Sequence, residues 1–254
     1  MVATTPRHQR LLDTLSEKGE LSVSELGRAL GVCQMTIRRD LAHLERAGRL
    51  ARTWGGARVG ERQLMDFTFR GKVRRYEKEK EAIGRAGAAL VPEKATVIID
   101  TGTTALQVAR ALRGRTGIRV LTCSLPIVAE LIDCPGITTD MLGGTVRADS
   151  LELYGPLTER NFEGLRADIA FLGADAVGED GWLYTTSMET ARVAELMMQS
   201  ARRRVLVADA GKWGAKASVR YAPITSLMTA ISDSRLGEQD RQEFRSAGVE
   251  LVIV

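Results

Sequence analysis

From Thr96 to the end of the chain, short apolar runs alternate with stretches of helical period, and that alternation admits few folds. The runs are Thr96-Val97-Ile98-Ile99, Ile118-Arg119-Val120-Leu121, Ile169-Ala170-Phe171-Leu172, Val205-Leu206-Val207-Ala208 and Val249-Glu250-Leu251-Val252-Ile253. Between them the spacing predicts helices over 105–112, 127–132 and 188–201, a strand near 139–142, and a leading helix over 77–90. Strands this apolar are buried on both faces, as in a parallel sheet lying between two layers of helix. An α/β unit of Rossmann-like, parallel-sheet type is therefore expected over residues 77–254.

Open parallel sheets bind ligands beyond the carboxyl ends of their strands. Three such ends are polar here: Asp100-Thr101-Gly102-Thr103-Thr104, Thr122-Cys123-Ser124, and Asp209-Ala210-Gly211-Lys212. In the first, the glycine permits close backbone approach, the hydroxyls donate, and the start of the following helix offers amides and the positive end of its dipole. A lysine at the third suits the same phosphate. An anionic small molecule is the expected ligand. A dinucleotide is disfavoured, because no Gly-x-Gly-x-x-Gly follows a first strand.

The N-terminal segment has a different character. In Val32 to Leu44, Ile37, Leu41 and Leu44 share one helical face, leaving Gln34, Met35, Thr36, Arg38 and Arg39 to an outer face. Upstream, Ser22 or Ser24 can cap a shorter helix over 25–30 that stops at Gly31. Helix, glycine turn, helix, over about residues 20–39, is a helix-turn-helix, whose second helix enters the major groove of double-stranded DNA. Arg suits guanine and Gln suits adenine. A first helix starts at Pro6 and ends near Gly19. Leu50 to Ala57 predicts two short strands and a tight turn, a wing carrying Arg52 or Thr53 near a phosphate or the minor groove.

Charge agrees with that division. Residues 1–58 hold ten Lys or Arg against six Asp or Glu, while residues 59–254 hold 26 of each, so the net charge of +4 sits in the N-terminal segment. The three cysteines show no paired or metal-ligand spacing, and no metal or cofactor is expected. No apolar run long enough to span a membrane is present, and no signal-peptide pattern opens the chain, so a soluble, cytoplasmic protein without a membrane partner is expected. A polar stretch at 59–76 is read as a linker. Phe67 and Phe69 stand there among Arg62, Arg70, Lys72, Arg74 and Arg75, suited to docking against a neighbouring domain. His8 and His43 are read as surface residues.

These residues carry a resemblance. Leu26-Gly27-Arg28-Ala29-Leu30, Thr36-Ile37-Arg38-Arg39-Asp40-Leu41 and Gly55-Gly56-Ala57 resemble the DNA-binding domain of the DeoR-type bacterial repressors. Residues 75–254 are similar to the sensing half of that family. The shared blocks are Asp100 to Thr104, Thr122-Cys123-Ser124, Leu142-Gly143-Gly144, Phe171-Leu172-Gly173-Ala174-Asp175 and Asp209 to Lys212. The resemblance implies a winged helix-turn-helix over 1–58, a homo-oligomer on operator DNA, and an effector domain similar to ribose-5-phosphate isomerase that senses a phosphorylated sugar. It places phosphate at Thr101 to Thr104 with Lys212, and the rest of the sugar near Asp175 and Glu189. The sequence departs from the family at Cys33, Trp54, Cys123, Ala210-Gly211 and Ala194, where Ser, His, Asn, Ser and Lys respectively are usual. The isomerases carry Asp-Gly-Ala-Asp where this chain has Leu172-Gly173-Ala174-Asp175. One carboxylate is absent, so a switch without catalytic residues is expected in place of an enzyme.

Overall fold

The computed structural model describes residues 6–46, 50–53, 55–58, 69 and 72–254. The chain divides into two compact units, Met1–Lys72 and Val73–Val254. In the first, helix α1 (Pro6–Lys18) leads into a short strand β1 (Leu21–Ser22), helix α2 (Val23–Leu30), helix α3 (Gln34–Arg46) and the wing strands β2 (Ala51–Thr53) and β3 (Gly56–Arg58). Of the two candidate caps, Ser22 is the one used. Its hydroxyl accepts from the Glu25 amide at 3.2 Å, and its own amide donates to the Glu25 carboxylate at 2.8 Å. Such a reciprocal cap is worth about 1 kcal/mol. Gly31 ends α2 at φ +68°, a left-handed conformation that side chains resist. The three strands form an antiparallel sheet in the order β1-β3-β2. Leu11, Leu12, Leu15, Leu26, Ile37, Leu41 and Leu44 make the core beneath, each no more than 1% exposed. The predicted stripe of α3 is thus its buried face.

The second unit opens with α4 (Glu77–Ala89), β4 (Thr96–Ile99), α5 (Thr103–Leu112), β5 (Ile118–Thr122), α6 (Leu125–Leu131) and β6 (Ile137–Met141). A hairpin, β7 (Thr145–Arg147) with β8 (Glu152–Tyr154), and a short helix α7 (Pro156–Arg160) follow. Next come β9 (Ala167–Leu172), β10 (Ala176–Val177), β11 (Trp182–Thr185), α8 (Met188–Gln199), β12 (Ala201–Val207), β13 (Val219–Pro223), β14 (Thr229–Ser232), α9 (Glu238–Ser246) and β15 (Glu250–Ile253). Seven strands form the main sheet in the order β15-β14-β12-β9-β4-β5-β6, every pair parallel. The strand order reverses between β4 and β9, which is the topological switch point of a doubly wound sheet. Phe171, Ile98, Leu172 and Leu206 are fully buried there.

Local chemistry sets the boundaries. α5 starts at Thr103, two positions before the expected helix, because Gly102 supplies the extended residue before it. α6 starts at Leu125, because the Ser124 hydroxyl caps it and a proline fits the first turn. α8 gives way at Ser200, since Ala201 already belongs to β12. The β7–β8 hairpin and the small antiparallel sheet β10-β11-β13 were not anticipated. α4 crosses α5 closely at Gly84, where any side chain would begin 2.5 Å from the Gln107 backbone carbon. Phe69 is buried, and Phe67 lies outside the described residues.

Candidate functional site

Two surfaces carry the residues singled out from sequence. The first is the outer edge of α3. Gln34, Met35, Arg38 and Arg39 are exposed, Met35 to 61%, while Thr36 is half-buried. Arg52 on β2 is exposed, and Thr53 is half-buried with its hydroxyl shielded. The exposed Cys33 just before α3 lies 3.2 Å from the Thr36 hydroxyl, and that bond together with the first-turn amides draws its thiol pKa below the usual range. Behind this edge, Asp40 is 5% exposed and anchors α3 to α1. Arg7 reaches it through Nε at 2.6 Å and Nη2 at 3.0 Å, and His8 through Nε2 at 3.2 Å. Burial pushes the Asp40 carboxyl upward, yet the bonds from Arg7 and His8 outweigh this and hold it below its ordinary value. His8 also stacks on His43 with ring centres 4.9 Å apart. The expectation of a surface His8 is corrected: at 6% exposure it fills the α1–α3 junction, because the Asp40 carboxylate satisfies its ring nitrogen.

The second surface is at the switch point of the main sheet. Asp100 ends β4, half-buried, and spans the crevice: Oδ2 accepts from the Gly173 amide at 2.8 Å and Oδ1 from the Thr101 amide at 2.7 Å. Burial lifts its carboxyl to about 6 against those two bonds, with Glu152 and Asp175 pushing the same way. Both oxygens face backbone amides, so Asp100 acts as a bracket between β4 and β9. Asp175 accepts from the hydroxyls of Thr185 and Thr186 at 3.2 and 3.4 Å. Tyr221 donates to the Gly173 carbonyl at 2.6 Å, and burial drives its pKa far up, keeping it a donor.

A hydroxyl has one proton to give. Thr101 Oγ1 lies 2.6 Å from Glu152 Oε2 and 3.5 Å from Asp100 Oδ1, so its proton points at a carboxylate and is unavailable to a phosphate. Thr122 is fully buried and its hydroxyl donates to the Ile99 carbonyl at 2.7 Å. Ser124, also fully buried, caps α6 through the Ile127 amide. In this structure these three side chains brace the wall of the crevice. Gly102, Thr103 and Thr104 remain at the first turn of α5, which no side chain caps, and space above Gly102 is open. The Thr103 hydroxyl accepts from Lys80 Nζ at 3.0 Å. Lys212 is half-buried on the single turn Ala210–Lys212 that follows β12.

Three residues escaped the sequence reading. Lys80 of α4 is 3% exposed and lies 3.9 Å from Asp209 as well as against Thr103. Glu152, on β8, is 5% exposed and collects Thr101, the Thr190 hydroxyl at 3.1 Å and Arg147 Nε at 3.1 Å. Arg147 itself stacks on Tyr154, donates to Ser187 at 3.2 Å and lies 3.5 Å from the exposed Glu189. The Glu189 amide and Ser187, with Arg147 behind them, hold the Glu189 carboxyl below its usual range. Among the described residues no cluster of His, Cys, Asp and Glu fits a metal ion, and no helix is long and apolar enough to cross a membrane.

A winged helix with a basic outer edge, followed by a doubly wound α/β unit with a polar crevice at its switch point, defines a two-part transcription regulator: a DNA-binding head and a sensor. Residues 7–63 match the DeoR-like helix-turn-helix domain and residues 75–234 match the DeoR C-terminal sensor domain. The chain belongs to the DeoR family. It is 34% identical to the HTH-type transcriptional regulator GlpR of Haloferax volcanii, over 97% of this chain and 96% of that one. It is 32% identical to the lactose phosphotransferase system repressor of Lactococcus lactis, over 94% of each, and 30% identical to the HTH-type transcriptional repressor CsqR of Escherichia coli K12, over 98% and 95%. Among solved structures, ribose 5-phosphate isomerase A of Methanocaldococcus jannaschii is similar over 54% of this chain and 55% of that one. Its TM-score of 0.41 at 19% identity is too remote to inform the chemistry.

Proposed function

We propose that this regulator represses a sugar or related carbon-catabolism operon and that a phosphorylated sugar or similar metabolite relieves the repression. Relatives named as repressors, one of them of a lactose phosphotransferase system, support the first part. The observation that carries the DNA-binding surface is the two-sidedness of α3: Ile37 and Leu41 are fully buried beneath, and Gln34, Met35, Arg38 and Arg39 are exposed above. Arg38 and Arg39 read base edges, with Gln34, Met35 and Thr36 beside them, and Arg52 and Thr53 of the wing follow the backbone. A homo-oligomer, dimer or tetramer, places two heads on half-sites one helical turn or a multiple apart. Changing Arg38 or Arg39 to Ala is expected to cost about 1 to 3 kcal/mol of operator affinity wherever the guanidinium pairs with a base. Binding of operator and random DNA at parental strength by both variants, in a fluorescence anisotropy titration, would sink this assignment.

In the sensor the phosphate sits on the first turn of α5 at Gly102, Thr103 and Thr104 with Lys212, and the polyol extends towards Asp175 and Glu189. The reading of a switch and not an enzyme is supported by Leu172, which stands where the isomerases this unit resembles carry one of two Asp residues. Ligand acts on DNA only through a difference in affinity between the DNA-competent and incompetent states, and such coupling is typically about 1 to 3 kcal/mol. Saturating effector is therefore expected to weaken operator binding roughly 5- to 150-fold. Lys212→Ala should lose that response and still bind operator. Operator titrations with a panel of sugar phosphates check both. A parent indifferent to the whole panel, or a variant as responsive as the parent, removes the mechanism.

A further inference from the structure

The outer pole of α3 carries one apolar side chain among polar ones. A helix turns about 100° per residue, so Met35, the second residue of α3, stands about 200° round the axis from Ile37 and about 180° from Leu44. Those two are fully buried, whereas Met35 is 61% exposed on the side opposite the core. Arg38 and Arg39, three and four positions on, share its face and are exposed too. Among the described residues of the first unit, no other large apolar side chain is left exposed. An exposed methionine is by itself ordinary surface. Its place is what singles it out, because the N-terminal residues of a recognition helix are the ones that meet base edges. Its neighbour Thr36 is half-buried, with its hydroxyl turned back to the Cys33 thiol at 3.2 Å, which leaves the pole of the first turn to Met35. Against most base edges a methionine would cover donors and acceptors without pairing them. Thymine is the exception, since its major-groove edge carries a C5-methyl group, and an unbranched, polarisable side chain can lie along it.

On the reading of α3 as the recognition helix, we propose that Met35 determines specificity by closing over the C5-methyl group of a thymine, one in each operator half-site. The arginines on its face attract any duplex through its phosphates, and polar contacts to bases fix guanine or adenine. The methyl contact adds a requirement they cannot impose: a thymine–adenine pair, in one orientation, beneath the first turn of α3.

The test begins with duplexes selected from a random pool by the full chain. Each thymine of the selected site is then replaced in turn by deoxyuridine, which pairs with adenine and keeps the same donors and acceptors in the groove, so that only the methyl group is lost. At one thymine per half-site the dissociation constant is expected to rise about fourfold, the factor that burying one methyl group carries, and the factors should multiply when both half-sites are substituted. Met35→Ala keeps a good helix former at an exposed position, and it should be insensitive to the exchange at that base. A parent that tolerates uracil at every thymine overturns the proposal. So does a Met35→Ala chain that keeps the parental uracil penalty, or a selected site whose half-sites share no thymine. Loss of binding in Arg38→Ala or Arg39→Ala alongside any of these leaves the recognition helix standing and removes only the role of Met35. Enrichment of no sequence, or parental binding by both arginine variants, removes the recognition-helix reading itself and this proposal with it.

Discussion

Leu41→Ala is expected to unfold the DNA-binding unit while the α/β unit stays folded. Leu41 is fully buried on the underside of α3, within a core made chiefly of leucines, with Val23, Ile37 and Ala57 among them. Truncating a buried leucine costs about 2 to 5 kcal/mol, the larger values arising where the surroundings cannot collapse into the cavity. A unit this small buries a modest fraction of its surface, and whole domains carry only about 5 to 15 kcal/mol of stability. The loss is thus comparable with everything the head has. Urea unfolding followed by hydrogen exchange will separate the units: protection should vanish from 6–46 and persist in the strands of the main sheet. Operator binding should disappear with it. Full protection of α3 in the variant would show that this core is not what holds the helix in place.

The second large effect is expected at Lys80. Its ammonium lies 3.9 Å from Asp209, with both side chains only 4% exposed, and it donates to Thr103 at 3.0 Å. Asp209 is also met by the Gly211 amide at 3.1 Å, which cannot neutralise a buried carboxylate. Removing one partner of a buried pair typically costs about 3 to 5 kcal/mol, chiefly through the charge left behind. Lys80→Met should lower the stability of the α/β unit by that amount, and Asp209→Asn should restore much of it in the double variant. Melting of the two single variants and the double closes the cycle. Strictly additive losses would mean that the two groups do not interact energetically.

Lys80 also shows where sequence reading reaches its limit. It sits in Glu77-Lys78-Glu79-Lys80-Glu81, which by pattern is a solvated helical face. Its burial is decided elsewhere, by Gly84 and Gly87, which let α4 settle against α5 and Phe171. Glu152 was hidden for a related reason. Leu151-Glu152-Leu153-Tyr154 has no helical period, and only the pairing of β8 with the chain after β5 turns its carboxylate inward. His8 looked like a surface residue because its partner, Asp40, is 32 positions away. What was legible was local: the apolar strands, the Ser22–Glu25 cap, the Gly31 stop and the stripe of α3. Thr101, Thr122 and Ser124 read as polar strand ends, yet which neighbour each hydroxyl bonds is decided by chain that the sheet brings in. Residues 59–68, including Phe67, lie outside the described chain, so the docking role given to that stretch stays an expectation.

The strand order has a bearing on how the sensor folds. In the main sheet, β4-β5-β6 is built from consecutive sequence, and so is β9-β12-β14-β15. The two halves join through one strand pair, Val97 with Ile169, Ile98 with Ala170 and Ile99 with Phe171. Closing that seam brings together residues such as Asp100 and Gly173, 73 positions apart, and such distant contacts slow the search for the native state. The crevice lies along this seam, so neither half forms it alone and it exists only once the last zipper has shut. A metabolite bound across it favours the closed sheet over every half-assembled form by mass action. On the proposed sensor reading, the signal for the head would also be a clamp on the folding of the protein that reads it.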